Sequence, residues 1–87
     1  MSRLPVVTLY GKPGCHLCED TEAILCMVAQ TQPLDVRKVD IQASPTLLEQ
    51  FQFRIPVIEV RDGDTLEWPT TLERVRKAVL TAANAGT

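Results

Sequence analysis

The stretch Leu9-Tyr10-Gly11-Lys12-Pro13-Gly14-Cys15-His16-Leu17-Cys18 decides the fold. Leading into it, Pro5-Val6-Val7-Thr8-Leu9-Tyr10 is β-branched and apolar along its length, the pattern of a strand buried on both faces. Gly11-Lys12-Pro13-Gly14 is a turn cluster that ends the strand. From His16 to Gln30, Leu17, Ile24, Leu25 and Val28 recur at helical spacing with Thr21 beside them, while Glu19, Glu22 and Gln30 fall opposite. A strand therefore feeds a sharp turn that opens an amphipathic helix, and Cys15 and Cys18 lie in that helix's first turn.

Beyond the helix, Leu34 to Val39 alternates imperfectly between Pro33 and Asp40, and reads as a second strand. Ser44 is placed to cap a short helix through Leu47, Leu48 and Phe51, with Pro45 at the first helical position, where its missing N–H costs nothing. Strand, helix and strand make a βαβ unit, expected to be right-handed. Pro56 to Val60 reads as a third strand, Asp62-Gly63 as a hairpin turn and Thr65 to Glu67 as the return strand. After Pro69, Thr70 is expected to cap a last helix with Glu73 as its capping-box partner, and Leu72, Val75, Val79 and Leu80 give that helix an apolar face. The tail from Asn84 is expected to fray. The order β-α-β-α-β-β-α predicts an α/β fold, a four-stranded mixed sheet covered by three helices, in one domain spanning residues 1–87.

Composition narrows the function. The chain is 45% hydrophobic and carries 9 basic and 11 acidic residues, a net charge of −2, interspersed rather than in blocks. That balance gives no electrostatic footprint for nucleic acid or an anionic membrane. The apolar run from Val6 to Leu9 is too short for a signal-peptide core or a membrane span, so a soluble cytoplasmic protein is expected. In a reducing compartment a close cysteine pair is more often catalytic or metal-binding than a structural staple.

Cys15 falls at a helix start, where free backbone N–H groups and the macrodipole favour an anion, which lowers a thiol's pKa. Lys12 adds a nearby positive charge. Three residues on, Cys18 sits one helical turn away, within reach to attack a mixed disulfide formed at Cys15. His16, between them, either tunes the pair by charge and hydrogen bonding or is a solvent-exposed side chain without a role. A zinc site inside one chain is not expected, because zinc normally takes four ligands and the chain supplies no second paired motif, only His16 and the distant Cys26. A metal or iron–sulfur site bridging two copies stays open. Cys26, eleven residues beyond Cys15 and about 16 Å along a helix, cannot bridge to the pair. It reads as a tolerated small residue on a partly exposed face.

The segment from Leu9 to Cys18 closely resembles the start of the glutaredoxin family, in which a Tyr-x-Lys-Pro-x-Cys-x-x-Cys segment joins the first strand to the active-site helix. Ile55-Pro56-Val57 resembles that family's cis-proline motif, and the element order matches nearly the whole chain. The resemblance implies a thioredoxin-like fold. It also implies a cis Pro56 lying against the cysteine pair, and an Ile55 backbone that offers hydrogen bonds to a bound peptide or glutathione. Lys12 is implied as a thiolate or carboxylate partner, and Tyr10 as a neighbour of the site, although Tyr10 is equally the end of a core strand. Glutaredoxins usually carry a Gly-Gly pair before the last helix, whose N–H groups hold the glutathione γ-glutamyl carboxylate. Here the matching stretch is Leu66-Glu67-Trp68-Pro69-Thr70-Thr71. Glu67 brings negative charge, Trp68 bulk, and Pro69 lacks the donor. The pattern is most similar to the small glutaredoxin-like group without that motif. Trp68 reads as a core residue, or alternatively as a lid or partner contact beside the thiols.

The expected activity is disulfide reduction by a dithiol mechanism, with Cys15 attacking and Cys18 resolving. The alternatives are glutathione-dependent deglutathionylation through Cys15 alone, and a redox-sensitive or metal-bridged binding module. No tightly bound cofactor is expected. A monomer is expected, with a disulfide substrate and with glutathione or a dithiol reductant as partners.

Overall fold

Val6, Val7, Thr8 and Leu9 suit an extended backbone, and strand β1 runs Val6–Gly11 in a computed structural model that describes residues 4–85. Helix α1 follows at His16–Thr31, strand β2 at Asp35–Asp40, a 3₁₀ turn at Ile41–Ala43 and helix α2 at Pro45–Phe51. Strands β3 (Val57–Val60) and β4 (Thr65–Glu67) and helix α3 (Leu72–Ala85) complete the chain. The sheet order is β2-β1-β3-β4, with β1 parallel to β2 and antiparallel to β3, and β3 antiparallel to β4. This is the expected four-stranded mixed sheet with three helices and a thioredoxin-like element order.

The two faces of the sheet are covered unequally. On one, Val7 and Leu9 of β1, Ile58 and Val60 of β3 and Leu66 of β4 pack against α1 and α3 in the larger buried cluster. On the other, Val57 packs with Ile41 and Phe51, and Tyr10, Leu47 and Ile55 close over them. Seven residues of α2 reach only the end of the sheet where Tyr10 pairs with Val57, and the next pair along, Thr8 with Glu59, leaves Glu59 exposed. So β1 is not buried on both faces: Val7, Leu9 and Gly11 are buried, while Val6, Thr8 and Tyr10 are only half-buried.

The inward stripe of α1 is Cys18, Thr21, Leu25 and Val28. Leu17, expected in the stripe, is 42% exposed, because it sits one residue, about 100° of helix, from Cys18. Thr21 tolerates full burial because its Oγ1 donates to the Leu17 carbonyl at 2.8 Å. Ser44 caps α2 as expected, its Oγ accepting from the Leu47 amide at 3.5 Å with Pro45 following.

Two local expectations change. Thr71, not Thr70, caps α3, accepting from the Arg74 amide at 3.2 Å. Glu73 is then two residues from the cap, and the capping box, which needs three, is lost. On α3, Val75, Ala78, Val79 and Ala82 face inward and Leu80 is exposed. The helix extends through Asn84 and Ala85, and Gly86 and Thr87, the rest of the tail expected to fray, lie outside the described residues. The hairpin after β3 turns on Asp62, whose φ of 61° is the left-handed value that Asp adopts more readily than most residues. Among the described residues, no helix is long and apolar enough to cross a membrane.

Candidate redox site

Strand β1 ends in Gly11, and the chain turns through Lys12-Pro13-Gly14 to deliver Cys15 to the start of α1. Gly14 has φ 79°, a conformation that strains any residue with a β-carbon. Cys15 is the N-cap: its Sγ accepts from the Cys18 amide at 3.1 Å, and its carbonyl accepts from the Glu19 amide at 3.1 Å. The sulfur thus takes the place that a Ser or Asp oxygen usually fills at a helix start. Cys15 and Cys18 are joined as a disulfide, their Cα atoms 5.2 Å apart. Cys18 is 7% exposed and belongs to the core, whereas Cys15 is only half-buried. One residue of the pair is partly exposed and the other is buried.

A groove of about 420 Å³ reaches Cys18 on the side of α1 and β2, lined by Gly11, Lys12, Cys18, Glu22, Lys38 and Asp40 among others. Lys38 pairs with Glu22 at 3.1 Å. Lys12 is exposed on the groove and forms no ion pair among the described residues. His16 points outward, its side chain 94% exposed, with Nδ1 3.4 Å from Glu19 Oε2. No group of three or more His, Cys, Asp or Glu side chains converges among the described residues in a way that would hold a metal ion. Cys26 is free and exposed on α1, apart from the pair.

The opposite flank is built from the chain before β3 and after β4. The Ile55–Pro56 bond is cis, as the family resemblance implied, and Pro56 is buried. Val57 pairs with both Tyr10 and Glu67, so Pro56 and Trp68 lie at the same end of the sheet as the Cys15 turn. Arg54 and Ile55 both donate their amides to the Phe51 carbonyl, at 2.8 and 3.1 Å. The Ile55 N–H is therefore already used within the chain. Arg54 Nε donates to Glu67 Oε1 at 2.7 Å and its guanidinium lies 5.3 Å from the centre of the Phe51 ring, tying the Pro56 turn to β4.

Tyr10 takes the second of its two expected places, the end of a core strand, whereas Trp68 departs from the core. Side chains alternate along β1, so Tyr10 projects to the face opposite Gly11, which packs against Cys18. The Tyr10 ring stacks on Phe51 with centroids 4.4 Å apart and its hydroxyl donates to Glu59 at 3.4 Å, making it a part of the smaller core. Burial, with the Glu59 charge and hydrogen bond added, raises the Tyr10 pKa above its ordinary value. Trp68 belongs to neither buried cluster and is 36% exposed, so it is not a core residue. The Trp68–Pro69 bond is also cis, which no sequence motif announces.

Comparison with known proteins places this geometry. A family model described as Glutaredoxin-like domain (DUF836) matches residues 6–80. Among solved structures, the X-ray structure of the structural genomics target protein XcR50 from X. campestris is 30% identical, with a TM-score of 0.69, over 82% of this chain and 91% of that one. Protein Ne2328 from Nitrosomonas europaea is 23% identical with a TM-score of 0.71, covering 94% and 93% of the two chains. Thioredoxin 1 from the thermophilic eubacterium Thermosipho africanus, at 11% identity, a TM-score of 0.67 and coverage of 93% and 97%, shares the fold. No curated protein matches. A thioredoxin-like fold carrying a bonded Cys15–Cys18 pair supports a redox function, and the chain belongs to the glutaredoxin-like domain family (DUF836).

Proposed function

We propose that the protein is a dithiol thiol-disulfide oxidoreductase that reduces disulfides in proteins or small molecules. The observation that carries this is the asymmetry of the pair. Cys15 is partly exposed at a helix N-cap with an amide aimed at its sulfur, and Cys18 is buried one turn on. In the reduced protein the same amide stabilises a Cys15 thiolate, the form that attacks a disulfide.

The Cys15 thiolate attacks one substrate sulfur, the substrate S–S bond breaks, and the departing thiolate takes a proton. Cys18 then gives up its proton and attacks Cys15 Sγ. This forms the Cys15–Cys18 bond and releases the second substrate thiol. A dithiol, or two molecules of glutathione, returns two electrons and two protons to the pair and is itself oxidised to a disulfide. The reaction needs no bound cofactor, nucleic acid or membrane, and it belongs to a monomer in a reducing compartment such as the cytoplasm.

Glu67, Pro69 and a helix start whose Arg74 amide is already spent on Thr71 all disfavour a bound carboxylate, which favours a dithiol reductant over glutathione. The test is turnover of a peptide disulfide, with the wild-type couple equilibrated against glutathione and against a dithiol. A reversible couple is expected, together with a Cys18→Ser variant that stalls as a mixed disulfide at Cys15. Full turnover of glutathionylated peptide by Cys18→Ser would instead select the glutathione-dependent monothiol reaction. Absence of a reversible couple would select a binding module.

A further inference from the structure

Gly11 adopts an ordinary strand conformation, paired with Asp40 of β2, and has no positive φ that would call for glycine. It is nevertheless buried, and space explains why: a β-carbon on Gly11 would lie 3.0 Å from Cys18 Sγ and 3.2 Å from Cys18 Cβ. Carbon in good contact with a neighbour sits at about 3.5–4.0 Å, so both approaches fall inside the repulsive range. Gly14, three residues on in the turn, gives the contrast, since a β-carbon there would meet nothing within 4 Å and only its φ restricts the residue.

We infer that Gly11 is a positioning residue for Cys18, and that its missing side chain sets the balance between the disulfide and dithiol forms of the pair. The redox part rests on the function proposed above. In the disulfide, Cys18 Sγ is fixed by its bond to Cys15 and cannot retreat from an added methyl group. When a reductant supplies two electrons and two protons, the S–S bond breaks. Cys18 Sγ is then free to turn about its Cα–Cβ bond, away from β1. The methyl group therefore burdens the disulfide more than the dithiol. Gly11→Ala makes the pair a stronger oxidant.

The experiment equilibrates wild type, Gly11→Ala and Gly63→Ala with a dithiol redox buffer. Gly63 is the comparator because its β-carbon would be equally cramped, 3.2 Å from Ala82 and Val60 side chains, but in the hairpin away from the sulfurs. The expected result is a shift of the Gly11→Ala equilibrium toward the dithiol by about tenfold, equivalent to about 30 mV, with Gly63→Ala at the wild-type ratio. An unchanged ratio for Gly11→Ala, or an equal shift in both variants, overturns the inference.

Thermal unfolding of Gly11→Ala in wild-type and Cys18→Ala backgrounds decides the positioning contact without any redox chemistry, and so separates it from the proposed function. Removing Sγ should abolish most of the Tm loss, or restore folding if Gly11→Ala alone does not fold. An undiminished Tm loss, or failure of both variants to fold, overturns it. A wild type without a reversible couple defeats the proposed function and leaves this contact to be judged by unfolding alone.

Discussion

The two faces of the sheet show a division between stability and placement. The face under α1 and α3 carries the larger cluster, with Val7, Leu25, Val28, Val75 and Val79 completely removed from solvent. The face under α2 holds little more than Ile41, Phe51 and Val57, and its partly buried companions Tyr10 and Ile55 adjoin the turns that frame the sulfurs. Apolar burial scales with area, so the first face supplies most of the folding free energy. The second holds the Pro56 turn through the Phe51 carbonyl, the Arg54–Phe51 contact and the Arg54–Glu67 ion pair. A protein of this size has enough core for one well-packed face, and the short helix serves the site.

Paired truncations test that division most strongly. Leu25→Ala leaves a cavity in the larger cluster and is expected to lose about 4 kcal/mol, against about 3 kcal/mol for Phe51→Ala in the smaller one. Either loss is a large fraction of the stability available to a chain this short. The order should reverse for chemistry. At equal folded fraction, set by denaturant unfolding, Phe51→Ala should slow disulfide exchange more than Leu25→Ala does. A Leu25→Ala variant with the slower exchange would break the comparison.

The start of α3 gives a smaller and sharper test, because that helix packs on the large face while its first turn lies at the site end. Thr71→Ala removes the oxygen that accepts from Arg74 and should cost about 1 kcal/mol in denaturant unfolding. Thr70→Ala should cost less, since Thr70 Oγ1 is buried without a hydrogen-bond partner among the described residues and its removal breaks no bond. The opposite ranking would move the cap back to Thr70.

These residues also mark how far the sequence alone can be read. The Cys15–Cys18 helix start, the Ser44-Pro45 cap and the Asp62 hairpin were legible because each is decided within a few residues. Of two adjacent threonines either can cap, and the choice depends on how the chain leaves β4, which is tertiary. Leu17 has the hydrophobicity of a core residue, but the rotation of α1 on the sheet decides which side is buried. The stacking of Tyr10 on Phe51, the Arg54–Glu67 pair and the contact of Gly11 with Cys18 all depend on which strands become neighbours. That is settled only when β1, β3 and β4 assemble.

The smallest expected effect belongs to Tyr10, on the thinner face. Its pKa is raised in the folded protein by burial first and by the Glu59 carboxylate second. Below the ordinary tyrosine pKa of about 10 the side chain is neutral in both folded and unfolded chains, and its contribution is fully present. As pH rises past that value, the unfolded chain ionises first and is stabilised relative to the folded chain. Stability is therefore lost between the ordinary pKa and the higher folded one. Tyr10→Phe keeps the ring stack on Phe51 and removes the ionisation, so it should flatten the alkaline part of the stability profile while changing neutral stability little. Urea unfolding at neutral pH and above pH 10 measures both. A variant that keeps the full alkaline loss would show that Tyr10 does not sense the charge on Glu59, and that the ring alone joins β1 to the Pro56 turn.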